Sequence, residues 1–362
     1  MDCTQTEWLS DIEYFKNFQT KCIQEHIPLY GSVDLTQRCN LNCVHCYHGK
    51  QNRPLPEHDR ELTTRQWQLI LDEICEAGCL FLLITGGEPL LRDDFAAIYK
   101  HARNNGLIIN VFSNGSSMTD DIVTLFNDFP PQAVEITLYG ATARTYESIT
   151  QVKNSFDRCM EGIHKLLSTD IRLRLKSVHL TLNDHELYEV AEFAARNGVP
   201  FRTDAAIFPC FNGDQSPLQY RVSPELAIDK ELSFIPKWLQ FQVSRFQKGD
   251  IPVTDKLYAC GAGLASFHID AYGNLQACLM AQDIQYNLLS GNFVTGWNEV
   301  IPSIRKLKVL PGCACNGCQK KVLCGYCPPF LQLENPGSNK HSNYLCSLAQ
   351  LRYEALVNKT EA

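Results

Sequence analysis

Thr36-Gln37-Arg38-Cys39-Asn40-Leu41-Asn42-Cys43-Val44-His45-Cys46-Tyr47 sets Cys39, Cys43 and Cys46 in the spacing C-x3-C-x2-C. Three thiolates from one short loop can hold three irons of a 4Fe–4S cube and leave the fourth iron open to a small molecule. The four residues Ser32-Val33-Asp34-Leu35 before Thr36 read as a short strand, so the loop follows a strand end. The spacing alone is only suggestive, and the surrounding chain must supply a fold.

Outward from the loop, residues 63–78 read as a helix, capped by Thr63 or Thr64 and carrying an apolar face of Trp67, Leu69, Ile70, Leu71 and Ile74. The apolar run 80–84 is of strand length and ends at Gly86-Gly87-Glu88-Pro89. The alternation continues with a helix at 92–104, a strand at 107–112 ended by Ser113-Asn114-Gly115, and a helix at 119–128. A strand at 134–138, a helix near 153–168, a strand at 172–178, a helix near 184–197 and a strand at 200–204 complete it. Continuous apolar runs alternating with amphipathic helices indicate a parallel sheet covered by helices. Six such repeats predict an α/β fold, a partial (β/α)6 TIM-like barrel over 31–205, with its active site at the C-terminal strand ends.

Residues 1–30 read as an N-terminal helical extension with Trp8, Ile12, Phe15 and Phe18 near helical period. Pro54 and Pro56 mark a surface loop, and 206–257 reads as a linker with a helix near 223–246. Residues 258–362 form a Cys-rich domain with a C-terminal helix. Within it a hairpin turns at Tyr272-Gly273, and His268 and Asp270 read as its polar residues rather than as acid–base groups. This domain is expected to have little core of its own and to depend on its metal.

A net charge of −7 gives no footprint for nucleic acid, and Lys320-Lys321 reads as a solvated face. No apolar run reaches the ~18–20 residues that span a bilayer. The first seven residues are polar and acidic, unlike a secretory signal, so a cytoplasmic setting is expected. There 17 Cys favour metal or cluster ligation over disulfides. Scattered members such as Cys3, Cys22, Cys75, Cys79 and Cys159 read as small buried hydrophobes.

The Cys loop after a first strand and Gly86-Gly87-Glu88 after a second resemble the radical S-adenosylmethionine (radical SAM) superfamily. Cys260-x12-Gly273-x4-Cys278, then Cys315-x2-Cys318-x5-Cys324-x2-Cys327, then Cys346 resembles the SPASM extension, with an x2 interval where x3 is usual. The resemblance implies a SAM-binding 4Fe–4S cluster on Cys39, Cys43 and Cys46, two auxiliary 4Fe–4S clusters, and S-adenosylmethionine. It implies that Gly86, Gly87 and Glu88 receive the amino group of S-adenosylmethionine, with Ser113, Asn114, Thr137 and Asn183 as candidates for its ribose and carboxylate. Cys315, Cys318, Cys324 and Cys346 would hold the outer auxiliary cluster, and Cys260, Cys278 and Cys327 the inner one. A fourth inner ligand could be Cys313, Cys210, a carboxylate or the substrate.

The chemistry implied is reductive cleavage to a 5′-deoxyadenosyl radical that abstracts hydrogen from substrate. Leu279-Met280 follows Cys278, where sulfatase maturases carry a catalytic acid, which argues against that role. The segment 136–142 resembles peptide maturases, so a thioether or carbon–carbon crosslink in a ribosomally made peptide is the first expectation. The extension at 1–30 is too short for a leader-binding domain, so a separate leader-binding protein is expected beside a ferredoxin- or flavodoxin-type electron donor. The alternatives are a small-molecule or cofactor-biosynthesis enzyme, and a non-enzymatic iron–sulfur electron-transfer or sensor protein. A zinc ribbon at 315–327 is disfavoured by its five-residue gap. Tyr47 is expected to shield the cluster, His45 to stand behind the ligands or face solvent rather than ligate, and Arg202 and Asp204 to contact substrate or form a barrel ion pair.

Overall fold

The computed structural model describes residues 10–49, 61–234, 237–249, 255–309, 312–337 and 341–357; Cys3, Trp8, Pro54 and Pro56 lie outside them. Six strands alternate with helices: β1 (Tyr30–Asp34), β2 (Phe81–Thr85), β3 (Ile108–Ser113), β4 (Ala133–Thr137), β5 (Leu173–Val178) and β6 (Phe201–Asp204). Between them run α2 (Thr64–Glu76), α3 (Phe95–Asn104), α4 (Asp120–Asp128), α5 (Ala143–Thr150), α6 (Ser155–Leu167) and α7 (Leu187–Arg196), after an N-terminal α1 (Asp11–Gln24). All six strands pair in parallel, in chain order. Right-handed strand–helix crossovers place the loops after every strand at one end of such a sheet.

The expected partial barrel is present. Thr63 is the cap of α2: its hydroxyl accepts from the Gln66 amide, and Gln66 returns a bond to the Thr63 amide. Trp67, Ile70, Leu71 and Ile74 are buried beneath it, whereas Leu69 is exposed, being out of phase with the inner face. Helix α5 is absent from the sequence reading. Thr142 caps it and Gln151 ends it in a left-handed conformation at φ 58°.

The C-terminal part departs more from expectation. Strand β7 (Ser266–Ile269) pairs in parallel with β1, and β8 (Asn274–Gln276) and β9 (Gln285–Asn287) extend the sheet to nine strands in the order β6-β5-β4-β3-β2-β1-β7-β8-β9. Phe267, Ile269, Leu275, Phe293, Trp297 and Ile301 belong to the same apolar core as the barrel. The hairpin therefore has a core after all, borrowed from the barrel across β1. The helical pieces α10 (Phe293–Thr295) and α11 (Ile301–Ile304) pack behind it.

The linker helix is two helices, α8 (Pro224–Phe234) and α9 (Lys237–Gln247). Val222, Ala227 and Ile228 pack with Phe330 of α12 (Pro328–Glu334) and with Leu345 and Leu348 of α13 (Asn343–Arg352). Lys321 is buried rather than solvated, with its ammonium 4.0 Å from the centre of the Tyr326 ring. Among the described residues no helix is long and apolar enough to cross a membrane.

Candidate active site

The Cys loop follows β1 and is fastened on two sides by backbone. On one side, the Asn42 and Val44 amides donate to the Thr150 and Ile149 carbonyls of α5. On the other, the Gly87 and Glu88 amides donate 2.8 Å bonds to the Thr36 and Arg38 carbonyls. This contact explains the paired glycines. A Cβ on Gly86 would lie 2.3 Å from the Thr36 carbonyl oxygen, and one on Gly87 2.3 Å from that of Arg38; Gly86 also has φ +135°. Glu61 braces the base of the loop, accepting from the Thr36 hydroxyl at 2.7 Å and the Gln37 amide at 2.9 Å.

Cys39, Cys43 and Cys46 line one cavity of about 390 Å³ together with Gly86, Gly87, Ser113, Asn114 and Thr137. Its far wall includes Lys176, Arg202, Asp204, Leu279 and Met280. Strand-end residues on the same inward side also reach it, including Thr85, Phe112 and Tyr139, which sequence reading passed over. Their alternation along each strand was the available signal.

Two expected residues are not on this wall. Glu88 is wholly buried, and its carboxylate accepts from the Leu90 amide (3.1 Å), the Ser113 hydroxyl (2.9 Å) and the Asn114 amide (2.7 Å). Burial pushes its carboxyl up to about 7, against these hydrogen bonds. Glu88 thus ties the Gly86-Gly87 turn to the loop after β3, using donors that would otherwise need a partner. Asn183 is also wholly buried; its amide nitrogen donates to the Tyr139 and Val178 carbonyls and its oxygen accepts from the Leu180 amide. Both shape the wall from behind.

Around the thiols, Asn114 Nδ2 lies 3.8 Å from Cys39 Sγ, and the Tyr139 hydroxyl hydrogen-bonds Cys43. Burial pushes the Cys39 thiol up to about 12 and that of Cys46 up to about 11, and the Cys43 thiol is raised by burial and then by its two neighbours. Three thiolates in this space need a cationic partner, as an iron cluster provides. Among the described residues no three His, Cys, Asp or Glu side chains are grouped to hold one metal ion. A cluster spreads its ligands over separate irons, so its thiols need not converge on one point.

His45 lies edge-on to Tyr139 at 5.1 Å, and burial takes its imidazole down to about 4. Tyr47 stacks on Phe208 and lies tilted against Phe211, and the Phe211 amide donates to the Tyr47 carbonyl, so residues 208–211 cover the loop. Cys210 belongs to this cover: its thiol donates to the Cys46 carbonyl at 3.3 Å. Arg202 pairs with Glu135, which also holds Lys176 at 3.4 Å. Arg202 is therefore both an ion-pair member and part of the cavity wall.

The other C-terminal cysteines lie in two electrostatic neighbourhoods. Burial raises the Cys324 thiol to about 12, followed by the charges of Cys315, Cys318 and Cys346. The Cys327 thiol is likewise raised to about 12 by burial and then by Cys278 and Cys260. Cys313 hydrogen-bonds Cys315, on the outer side. Tyr258 lies within electrostatic reach of Cys278, Asp283, Cys327 and Cys260. Cys327 Sγ is 4.0 Å from Met280 Sδ, and Met280 lines the 390 Å³ cavity.

Residues 33–194 match the model of the Radical SAM superfamily. The chain carries a radical SAM domain and is a radical SAM enzyme, a class that binds a 4Fe–4S cluster and S-adenosylmethionine, with auxiliary clusters in SPASM-type members. It is 25% identical over 321 residues to an AdoMet-dependent heme synthase of Methanosarcina barkeri, covering 83% of this chain and 91% of the relative. It is 28% identical over 307 residues to mycofactocin maturase MftC of Mycolicibacterium smegmatis, covering 80% and 76%. The fold is shared with Streptococcus suis SuiB at a TM-score of 0.70 and 14% identity, over 94% of this chain and 84% of SuiB.

Proposed function

We propose that this enzyme oxidatively modifies a ribosomally made peptide by forming a thioether or carbon–carbon crosslink. The observation that carries the reading is the cavity between the Cys39–Cys43–Cys46 loop and Met280, which touches the inner cysteine Cys327. A substrate held there has the S-adenosylmethionine side on one face and the inner thiols on the other. MftC is named a maturase, and SuiB has been solved with its precursor peptide SuiA.

Cys39, Cys43 and Cys46 would hold the S-adenosylmethionine cluster, and Gly86, Gly87, Ser113, Asn114 and Thr137 would border its ligand. When bound, the cluster supplies the electron that starts the radical reaction. The chain's own contribution is placement and exclusion of water. Phe208 and Phe211 cover the loop with Tyr47, and Lys176 and Arg202 offer cations to acidic groups of ligand or substrate. Cys315, Cys318, Cys324 and Cys346 would form the outer site and Cys260, Cys278 and Cys327 the inner one, with Asp283 a candidate carboxylate to complete it.

Residues 31–205 then act as the radical half and 258–362 as the electron-handling half, joined through β1 and β7, with 1–30 as an N-terminal extension and 206–257 as a linker. A separate leader-binding protein, a ferredoxin- or flavodoxin-type donor and a reducing cytoplasm fit this reading. Co-expression with short peptides from neighbouring reading frames tests it: a mass loss of hydrogen supports it, and unchanged peptides contradict it. The likeness to a heme synthase over nine-tenths of that relative favours a second reading, a cofactor-biosynthesis reaction. Under that reading a tetrapyrrole, not a peptide, stimulates 5′-deoxyadenosine release.

A further inference from the structure

A second cavity, of about 310 Å³, lies between the Cys loop and the C-terminal hairpin. Its floor is made by Asp34 of β1, His268 of β7 and Gln276 of β8, each at most 2% exposed, with His48 beside them. Four polar atoms there lack any hydrogen-bond partner: Asp34 Oδ1, His48 Nε2, His268 Nε2 and Gln276 Oε1. An unpartnered buried polar atom is costly, so several on one cavity mark a place built for a ligand.

The hydrogen-bond pattern tells which chemistry the floor takes. The Ser32 hydroxyl lies 2.9 Å from His268 Nδ1 and 3.2 Å from the Phe267 carbonyl oxygen, which fixes the imidazole on the floor. His268 Nε2 faces Asp34 Oδ2 at 3.7 Å. His48 Nε2 faces the same carboxylate oxygen at 3.7 Å. Asp34 is the last residue of β1, and Gln276 adds a carbonyl oxygen. The floor thus offers two unpartnered oxygens, Asp34 Oδ1 of a buried carboxylate and Gln276 Oε1. Asp270 brings a second carboxylate to the wall, where it also caps the hairpin turn through the Tyr272 and Asn274 amides.

Among the described residues no Lys or Arg lines it, in contrast to the reaction cavity with Lys176 and Arg202. The described His, Cys, Asp and Glu side chains are not grouped for a metal ion. The rim at Asn212 and Gln285 is exposed, which gives a path inward.

We propose that this cavity binds an organic cation, a guanidinium or alkylammonium group, seated against Asp34 and Gln276. The site goes beyond the peptide reading and does not rest on it: the cation could be a free small molecule or a basic side chain of a substrate.

The test is calorimetry on the anaerobically reconstituted enzyme with 1-butylguanidine, N-acetyl-arginine N-methylamide and the neutral hexanamide. Both guanidinium probes should bind at least about tenfold more tightly than hexanamide, as expected for losing one charge-assisted contact. Asp34→Asn should weaken guanidinium binding about tenfold or more. Gln276→Glu should strengthen it severalfold, a gain that misfolding cannot imitate. A capped arginine that outbinds butylguanidine supports a peptide-borne cation, and the reverse order supports a free small molecule. Equal affinity for hexanamide and butylguanidine, or no change in both variants, would overturn the site. Binding is read without turnover, so failure of the peptide reading would appear separately, as an unmodified peptide.

Discussion

The loop at 36–47 rests on a continuous apolar core running from β1 through β6 and on to β7, whereas the cysteines at 313–346 rest on two small apolar groups. In the first region, backbone bonds to α5 and to the turn after β2 fix the thiols before any metal arrives. In the second, Phe330, Leu345 and Leu348 form one small group with α8, and Leu323, Ala349 and Val357 another. Thiols there stand where a core would otherwise be. On the proposed reading, the same ligand type decorates a finished fold in one region and helps to make the fold in the other.

The largest effect that could break this contrast concerns the first region. Cys43→Ala should lower reductive release of 5′-deoxyadenosine by at least about a thousandfold and remove on the order of a third of the iron, while the rest of the iron stays bound. Loss of all iron would show that the two regions are not independent. Next comes iron removal by chelation, followed by amide hydrogen exchange. Residues 313–346 should lose protection by about a hundredfold or more, and β1 to β4 should change little. Uniform loss would contradict the contrast.

A smaller effect is expected at Glu88, whose three accepted hydrogen bonds hold two strand-end loops together. Glu88→Gln turns an amide nitrogen toward existing donors and should cost about 1–3 kcal/mol in unfolding while weakening S-adenosylmethionine binding severalfold. Unfolding in denaturant and ligand titration measure the two terms.

The smallest is a pH effect at Lys176. Burial lowers its ammonium from an ordinary 10.5 to about 8, with Glu135 opposing the shift. Between pH 8 and 10.5 the unfolded chain binds a proton that the folded chain has released, so this group makes stability rise with pH across that window. Lys176→Met should therefore be more stable than the parent at pH 7, and the advantage should shrink by pH 10. Paired melting curves at the two pH values check it; an advantage independent of pH would assign the shift to another cause.

Much of the barrel was legible because its strands are continuous apolar runs and its loops carry Gly, Asn and Ser at strand ends. The two proposed auxiliary cysteine groups come from spacing, and the electrostatic neighbours of Cys324 and Cys327 support that division. Three features were hidden for physical reasons. The pairing of β7 with β1 joins residues far apart in sequence, and no local pattern announces a parallel partner. Glu88 and Asn183 carry polar side chains at loop positions, yet buried backbone donors and acceptors claim them before a ligand can. The cavity at Asp34 and His268 draws on β1 and the hairpin together, so neither segment shows it alone.

The division of labour between the two regions is tested most directly at Cys327, which touches the cavity through Met280. In Cys327→Ser, 5′-deoxyadenosine release and peptide mass are followed together in one anaerobic reaction. The account predicts that cleavage of S-adenosylmethionine continues within about threefold of the parent while the modified peptide disappears. A variant that still completes the peptide modification, or one that no longer cleaves S-adenosylmethionine, would contradict it.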